Sequence, residues 1–141
     1  MQQMTRTRGW RWWSYRGIAV VGALVIVALL AVSWAIGSGV QAATRVAVRE
    51  YGGDRISALM AYVESPSQSL GDRNRAVWAL GQLGDARALT GLEKHFTGKP
   101  CDHSRLLCQR ELKKAIHLCR GGLNVSALVW RHDFVTGAGS S

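Results

Sequence analysis

Between Arg16 and Arg45 the chain carries no charged side chain, and from Ile18 to Ile36 it contains only Ile, Ala, Val, Leu, Gly, one Ser and one Trp. No other stretch restricts the fold as strongly. At about 1.5 Å per helical residue this run roughly matches a ~30 Å hydrocarbon core, so a membrane-spanning helix is expected. Trp10, Trp12, Trp13 and Tyr15 precede the run and Trp34 closes it. Amphipathic rings favour the headgroup layer, which makes these five the expected membrane-interface anchors. Arg6, Arg8, Arg11 and Arg16 lie before the run, against Arg45, Arg49 and Arg55 beyond it. The positive-inside bias favours a cytoplasmic N-terminus, with the remainder on the far side.

A cleaved secretory signal is the rival reading, with Val40-Gln41-Ala42 as a small-residue cleavage site before Ala43. Signal cores usually span about 7 to 15 apolar residues, and this run is longer, which favours an uncleaved anchor. Both readings export residues 43–141. The expectation is a single-pass protein of the bacterial inner membrane, with the membrane lipid as one partner and the C-terminal domain in the periplasm. Ala19 with Ala23 and Ala31 with Ala35 have the spacing that lets two such helices approach, but in an alanine-rich run that spacing also arises by chance.

The chain has 141 residues, 48% of them hydrophobic, and 18 Lys and Arg against 9 Asp and Glu. That length holds one small domain beside the apolar helix and excludes a large multidomain enzyme. The expected division is a basic aromatic arm over 1–16, the transmembrane helix over 17–40, a juxtamembrane helix or linker over 41–53, a helical domain over 54–122 and a tail over 123–141. Gly37-Ser38-Gly39 is expected to loosen the first helix, and Gly52-Gly53 to stop its continuation. Asp54 then caps a helix whose apolar face is Ile56, Leu59, Met60 and Val63. It ends at the turn residues from Ser65 to Ser69. Ser69 with Asp72 starts the next, with Ala76, Val77, Ala79, Leu80 and Leu83 as its apolar face. Asp85 caps a third, faced by Leu89, Leu92 and Phe96 and halted before Pro100. A fourth runs from a Ser104 cap to Cys119 and stops at Gly121-Gly122. No strand pattern competes, so the class is all-α.

The stretch Arg75-Ala76-Val77-Trp78-Ala79-Leu80-Gly81-Gln82-Leu83-Gly84-Asp85-Ala86-Arg87-Ala88 resembles the HEAT-like repeat of phycobilin lyase-type proteins. In that family an Arg-x-x-Ala-x-x-Ala-Leu-Gly helix ends at Leu-Gly-Asp and the next opens on Arg-Ala. Arg75, Gly84, Asp85 and Arg87 fall on the matching positions as structural residues of the repeat. The resemblance covers roughly residues 54–120 and implies a short α-solenoid of about two helical hairpins, 55–64 with 72–83 and 86–97 with 104–119. The second hairpin lacks the Leu-Gly-Asp ending. From the residues alone, Ala76 and Ala79 allow close helix contact, Gly84 a left-handed helix end, and Asp85 a cap. Stacked hairpins generally need three or more repeats for a continuous core, so further cover is expected. It comes from the helix at Thr44, the apolar tail Leu123, Val125, Ala127, Leu128, Val129 and Trp130, a covalent staple or a partner protein. The tail reads as an end cap or as a docking segment. Asn124-Val125-Ser126 is a glycosylation sequon that matters only in a eukaryotic secretory protein.

An exported domain lies in an oxidising compartment, where a disulfide is expected. Cys108 and Cys119 are placed on one helix about 16 Å apart along its axis, beyond the ~7 Å reach of a disulfide. Cys101 with Cys108 is the expected pair, and Cys119 reads as a buried thiol behaving as a small hydrophobe. A metal reading from Cys101, His103, Cys108 and His117 fits no paired zinc spacing, and no haem or dithiol motif occurs. No metal, cofactor or catalytic residue is expected. His95 and His132 read as isolated surface or turn residues.

Arg110, Lys113, Lys114 and His117 recur at helical spacing opposite the apolar face of the fourth helix. This basic stripe reads as a solvated outer face or as a surface for anionic headgroups or an acidic partner. Residues 43–141 carry fourteen of the basic and all nine of the acidic side chains, and nucleic acid is not an expected partner of an exported domain. The functional expectation is a non-enzymatic, membrane-anchored HEAT-like scaffold, binding protein partners as an accessory or assembly subunit of a membrane complex. The alternatives are a secreted ligand- or metal-binding helical domain and a lyase-type enzyme subunit.

Overall fold

The computed structural model describes residues 7–102, 105–125, 127 and 130, with side chains from Tyr15 onwards. It is all-helical across these residues: α1 (Thr7–Tyr51), α2 (Arg55–Glu64), α3 (Leu70–Leu83), a single 3₁₀ turn (Ala86–Ala88), α4 (Leu89–His95) and α5 (Gln109–Cys119). The capping expected of the sequence is made. Asp54 Oδ1 accepts from the Ile56 N–H at 3.0 Å, Ser69 Oγ from the Asp72 N–H at 3.1 Å, and Asp85 Oδ1 from the Arg87 N–H at 2.9 Å. Each satisfies one of the amide donors that a helix start leaves without an intrahelical acceptor. Gly84 ends α3 in the left-handed region, at φ 63° and ψ 32°, where a Cβ is strained.

α1 departs from expectation. It runs 45 residues without interruption, about 68 Å at the helical rise, and Gly37-Ser38-Gly39 lies inside it. These glycines are sites of close approach. A Cβ on Gly37 would sit 2.9 Å from the Trp130 Cβ, and one on Gly39 would sit 3.2 Å from the Trp78 ring. Tertiary packing supplies what glycine's low helix propensity withholds. From Ser33 onwards α1 becomes part of the domain: Ser33, Val40, Thr44 and Ala47 are buried, at spacings of three, four and seven that keep them on one face. Thr44 spends its hydroxyl on the Val40 carbonyl at 2.8 Å, so burying it leaves no orphan donor. Before Ser33 the large apolar side chains from Ile18 to Val32 point outward, and Trp34 is 74% exposed.

The C-terminal half of α1, α2 and α3 pack against one another, and α3 then packs on α5 and α4 on α5. Val40, Leu59, Val63, Val77, Leu80, Leu92 and Leu112 are the largest side chains fully removed from solvent. α3 is the central element, with α1 and α2 on one side and α5 on the other. At its closest approach to α5, a Cβ on Gly81 would lie 2.8 Å from the Ala115 Cα. The third expected helix is divided, a 3₁₀ turn preceding α4, and it ends at His95, leaving Phe96 38% exposed in the loop. α5 begins at Gln109 rather than Ser104, which lies outside the described residues. The tail turns back on α1: Ala127 and Trp130 are buried, whereas Leu123 and Val125 remain exposed.

Candidate functional site

The long connection between α4 and α5 is held by polar side chains that no motif announces. Gln109 is buried on the core side of α5. Its Oε1 accepts from the Thr97 N–H at 2.8 Å, and its Nε2 donates to the carbonyls of His95 and Leu107 at 3.3 and 3.1 Å. Asn74 on α3 accepts from the Cys108 N–H at 2.8 Å, fixing the start of α5. The signal in the sequence was the spacing of Gln109 with Leu112, Ile116 and Cys119, which puts an amide on an apolar face. Gln109→Ala takes this partner from the Thr97 N–H and from the His95 and Leu107 carbonyls and is expected to cost about 2 kcal/mol of stability in urea denaturation. A loss below a few tenths would remove this account of the loop.

Cys101 and Cys108 lie within this connection. Both are free thiols with their sulfurs 3.5 Å apart, Cys101 half-buried and Cys108 buried. Backbone N–H groups of Arg110 and Gln109 and the Cys108 thiol hold the Cys101 thiol below its ordinary pKa, the Arg110 amide first among them. Cys119 is buried with its sulfur 3.6 Å from the Leu80 carbonyl. His103 and His132 fall outside the described residues. Burial is the main cause of the lowered pKa of His95. Among the described residues no three His, Cys, Asp or Glu side chains converge as metal ligands.

The repeat-motif residues join α2 to the end of α3. The Arg87 guanidinium meets Asp85 at 2.8 Å and reaches Asp54, the cap of α2, at 3.3 Å. Hydrogen bonds, from Ser57 first at Asp54 and from Arg87 first at Asp85, hold both carboxyls below their usual range. These groups are largely exposed, so the ion pairs contribute little to stability. Arg75 is also exposed, at the rim of a cleft of about 360 Å³ between α1 and α3. Gly39, Ala42, Ala43 and Ala76 create that cleft by their small size, and Tyr62 and Trp78 wall it.

The PBS lyase HEAT-like repeat matches residues 72–97. The match takes in α3 from Asp72 onwards, the 3₁₀ turn and α4, and is narrower than the 54–120 expected from the sequence. No curated protein and no solved structure matches the chain. The HEAT-like repeat, with no strand among the described residues, points to a helical protein-interaction scaffold. Among the described residues one helix, within Tyr15–Tyr51, is long and apolar enough to cross a membrane.

On α5, Arg110, Lys113, Lys114 and His117 are all exposed, opposite the buried Leu112, Ala115 and Cys119. Glu111 interrupts the stripe and pairs with Lys114 at 3.0 Å. Tyr15 and Trp34 are exposed at the two ends of the apolar run, whereas the side chains of Trp10, Trp12 and Trp13 lie outside those described. Arg45, Arg49 and Arg55, read from sequence only for orientation, line a second groove beside α1.

Proposed function

We propose that this chain is a single-pass, membrane-anchored HEAT-like scaffold that binds protein partners as an accessory or assembly subunit of a membrane complex. In this reading the N-terminus is cytoplasmic, Ile18 to Ile36 lie in lipid, and the helical domain stands on the periplasmic side of a bacterial inner membrane. The observation that carries it is the double use of α1, which exposes apolar side chains up to Val32 and buries Val40 and Ala47 in the domain core. A span joined to the repeat by one helix fixes the domain at the bilayer surface, which suits a part that positions other proteins. The lyase in the repeat's name describes a family, and we read this chain as non-enzymatic.

Topology is the test. Alkaline phosphatase fused after Ser141 should be active, and a fluorescent protein at the same place dark. The reverse pattern overturns the placement and the role argued from it. The same placement favours a disulfide between Cys101 and Cys108, whose sulfurs need to close from 3.5 Å to about 2.05 Å. In the chain-entropy picture its short loop contributes about 2–3 kcal/mol. Alkylation without reductant, read by mass spectrometry, should find Cys119 as the one free thiol after unfolding. Alkylation of all three cysteines removes the staple.

A further inference from the structure

We propose that the groove lined by Gln41, Thr44, Arg45, Val48, Arg49 and Arg55 docks an acidic polypeptide segment of a partner protein. The inference rests on the scaffold reading above and names the surface and the chemistry of the partner. The groove has a volume of about 480 Å³, and three of its six lining side chains are guanidiniums while none is a carboxylate. Arg45 and Arg49 are exposed and form no ion pair among the described residues. They stand one turn apart on α1, about 6 Å along its axis, and like charges at that spacing repel.

The carboxylates nearest in sequence are already engaged. Asp54 receives the Ile56 N–H, the Ser57 hydroxyl and Arg87, and Glu50 accepts from Gln68. The floor is firm, because Val48 packs against the core and the buried Thr44 donates its hydroxyl to Val40. A firm apolar floor beside the Arg45 and Arg49 guanidiniums suits a segment presenting carboxylates beside small apolar side chains, these two planar forks each taking a carboxylate by two parallel hydrogen bonds. The α5 stripe lacks this uniform sign, since Glu111 sits within it.

Height separates a polypeptide from lipid as the source of the negative charge. Arg45 lies about 14 Å, and Arg49 about 20 Å, along α1 beyond Ile36. The headgroup layer is only about 5–8 Å thick on each side of the hydrocarbon. On the placement proposed above, the backbone at both positions therefore stands beyond the headgroup layer, where a partner's segment can reach the groove.

The test uses the full chain in nanodiscs of neutral lipid and a fluorescent peptide of alternating glutamate and alanine as probe. Arg45→Gln with Arg49→Gln should weaken peptide binding by about tenfold or more. The equal-charge control, Lys99→Gln with Arg105→Gln, alters two exposed loop cations and should leave binding near that of the unaltered chain. Equal affinity in all three proteins overturns the groove. So does a result in which the Arg45 and Arg49 changes spare the peptide but reduce capture by phosphatidylglycerol vesicles. The scaffold reading fails separately if photo-crosslinkers at neither Gln41 nor Lys113 label a protein neighbour in intact membranes. Labelling at Lys113 alone leaves that reading standing and removes the groove.

Discussion

A chain that begins at Ala43 should melt on the order of 10–20 °C below one that begins at Ala31, with both held in the same detergent. The shorter chain is what cleavage after Ala42 would release. It loses Val40, which is fully buried, and a buried valine contributes about 1.5–3 kcal/mol. It also loses the backbone at Gly37 that receives Trp130 and the backbone at Gly39 that receives the Trp78 ring. The buried Thr44 falls within a new and frayed first turn and loses the Val40 carbonyl that takes its hydroxyl, and the buried Ala47 directly follows that turn. Together these changes amount to about 3 kcal/mol, a large fraction of what a domain of this size possesses. Circular dichroism melts check it directly. Matching midpoints for the two chains show that the domain is complete without the residues before Ala43, and the cleaved, secreted reading then gains the advantage.

Local chemistry in the sequence reached the starts of α2, α3 and the 3₁₀ turn and the stop of α3 because caps act over two or three residues. Asp54, Ser69, Asp85 and Gly84 perform the roles their types imply. What escaped are features set by residues distant in the chain. Gly37 and Gly39 read as a weak point because glycine disfavours helix, yet their partners Trp130 and Trp78 lie far along the sequence. Ser104 has the residue type of a helix cap, but α5 starts at Gln109, where Asn74 from α3 and the Gln109 side chain itself fix the backbone. At the candidate site, the basic stripe of α5 was legible as a period of exposed charges. The groove at Arg45, Arg49 and Arg55 was not, because its third side chain comes from α2 and only the packing of α1 on α2 assembles it.

That dependence on α3 as the central element makes Gly81→Leu the most damaging single substitution expected here. A Cβ at this position lies 2.8 Å from the Ala115 Cα and 3.0 Å from its Cβ, and neither atom is the end of a flexible chain that can swing aside. α3 and α5 must separate, and with them Leu80 and Leu112, both fully buried, lose neighbours. Overpacking of this kind costs about 3 kcal/mol, enough to leave a marginal domain substantially unfolded at 37 °C. Gly81→Ala divides the two contributions, since alanine gains about 1 kcal/mol of helix propensity over glycine. The clash with backbone should outweigh that gain, so Gly81→Ala destabilises as well, by less. Combining it with Ala115→Gly removes the clash between the two methyl groups but leaves the new methyl pressed against the α5 backbone. The double variant therefore loses less than the sum of the single losses without returning to the original stability. Urea titration of five proteins, the original chain, Gly81→Leu, Gly81→Ala, Ala115→Gly and the double variant, measures these relations. Were Gly81→Ala to raise the midpoint, propensity alone would govern the position, and the tight approach of α3 to α5 could no longer explain why a glycine lies buried in the last turn of α3.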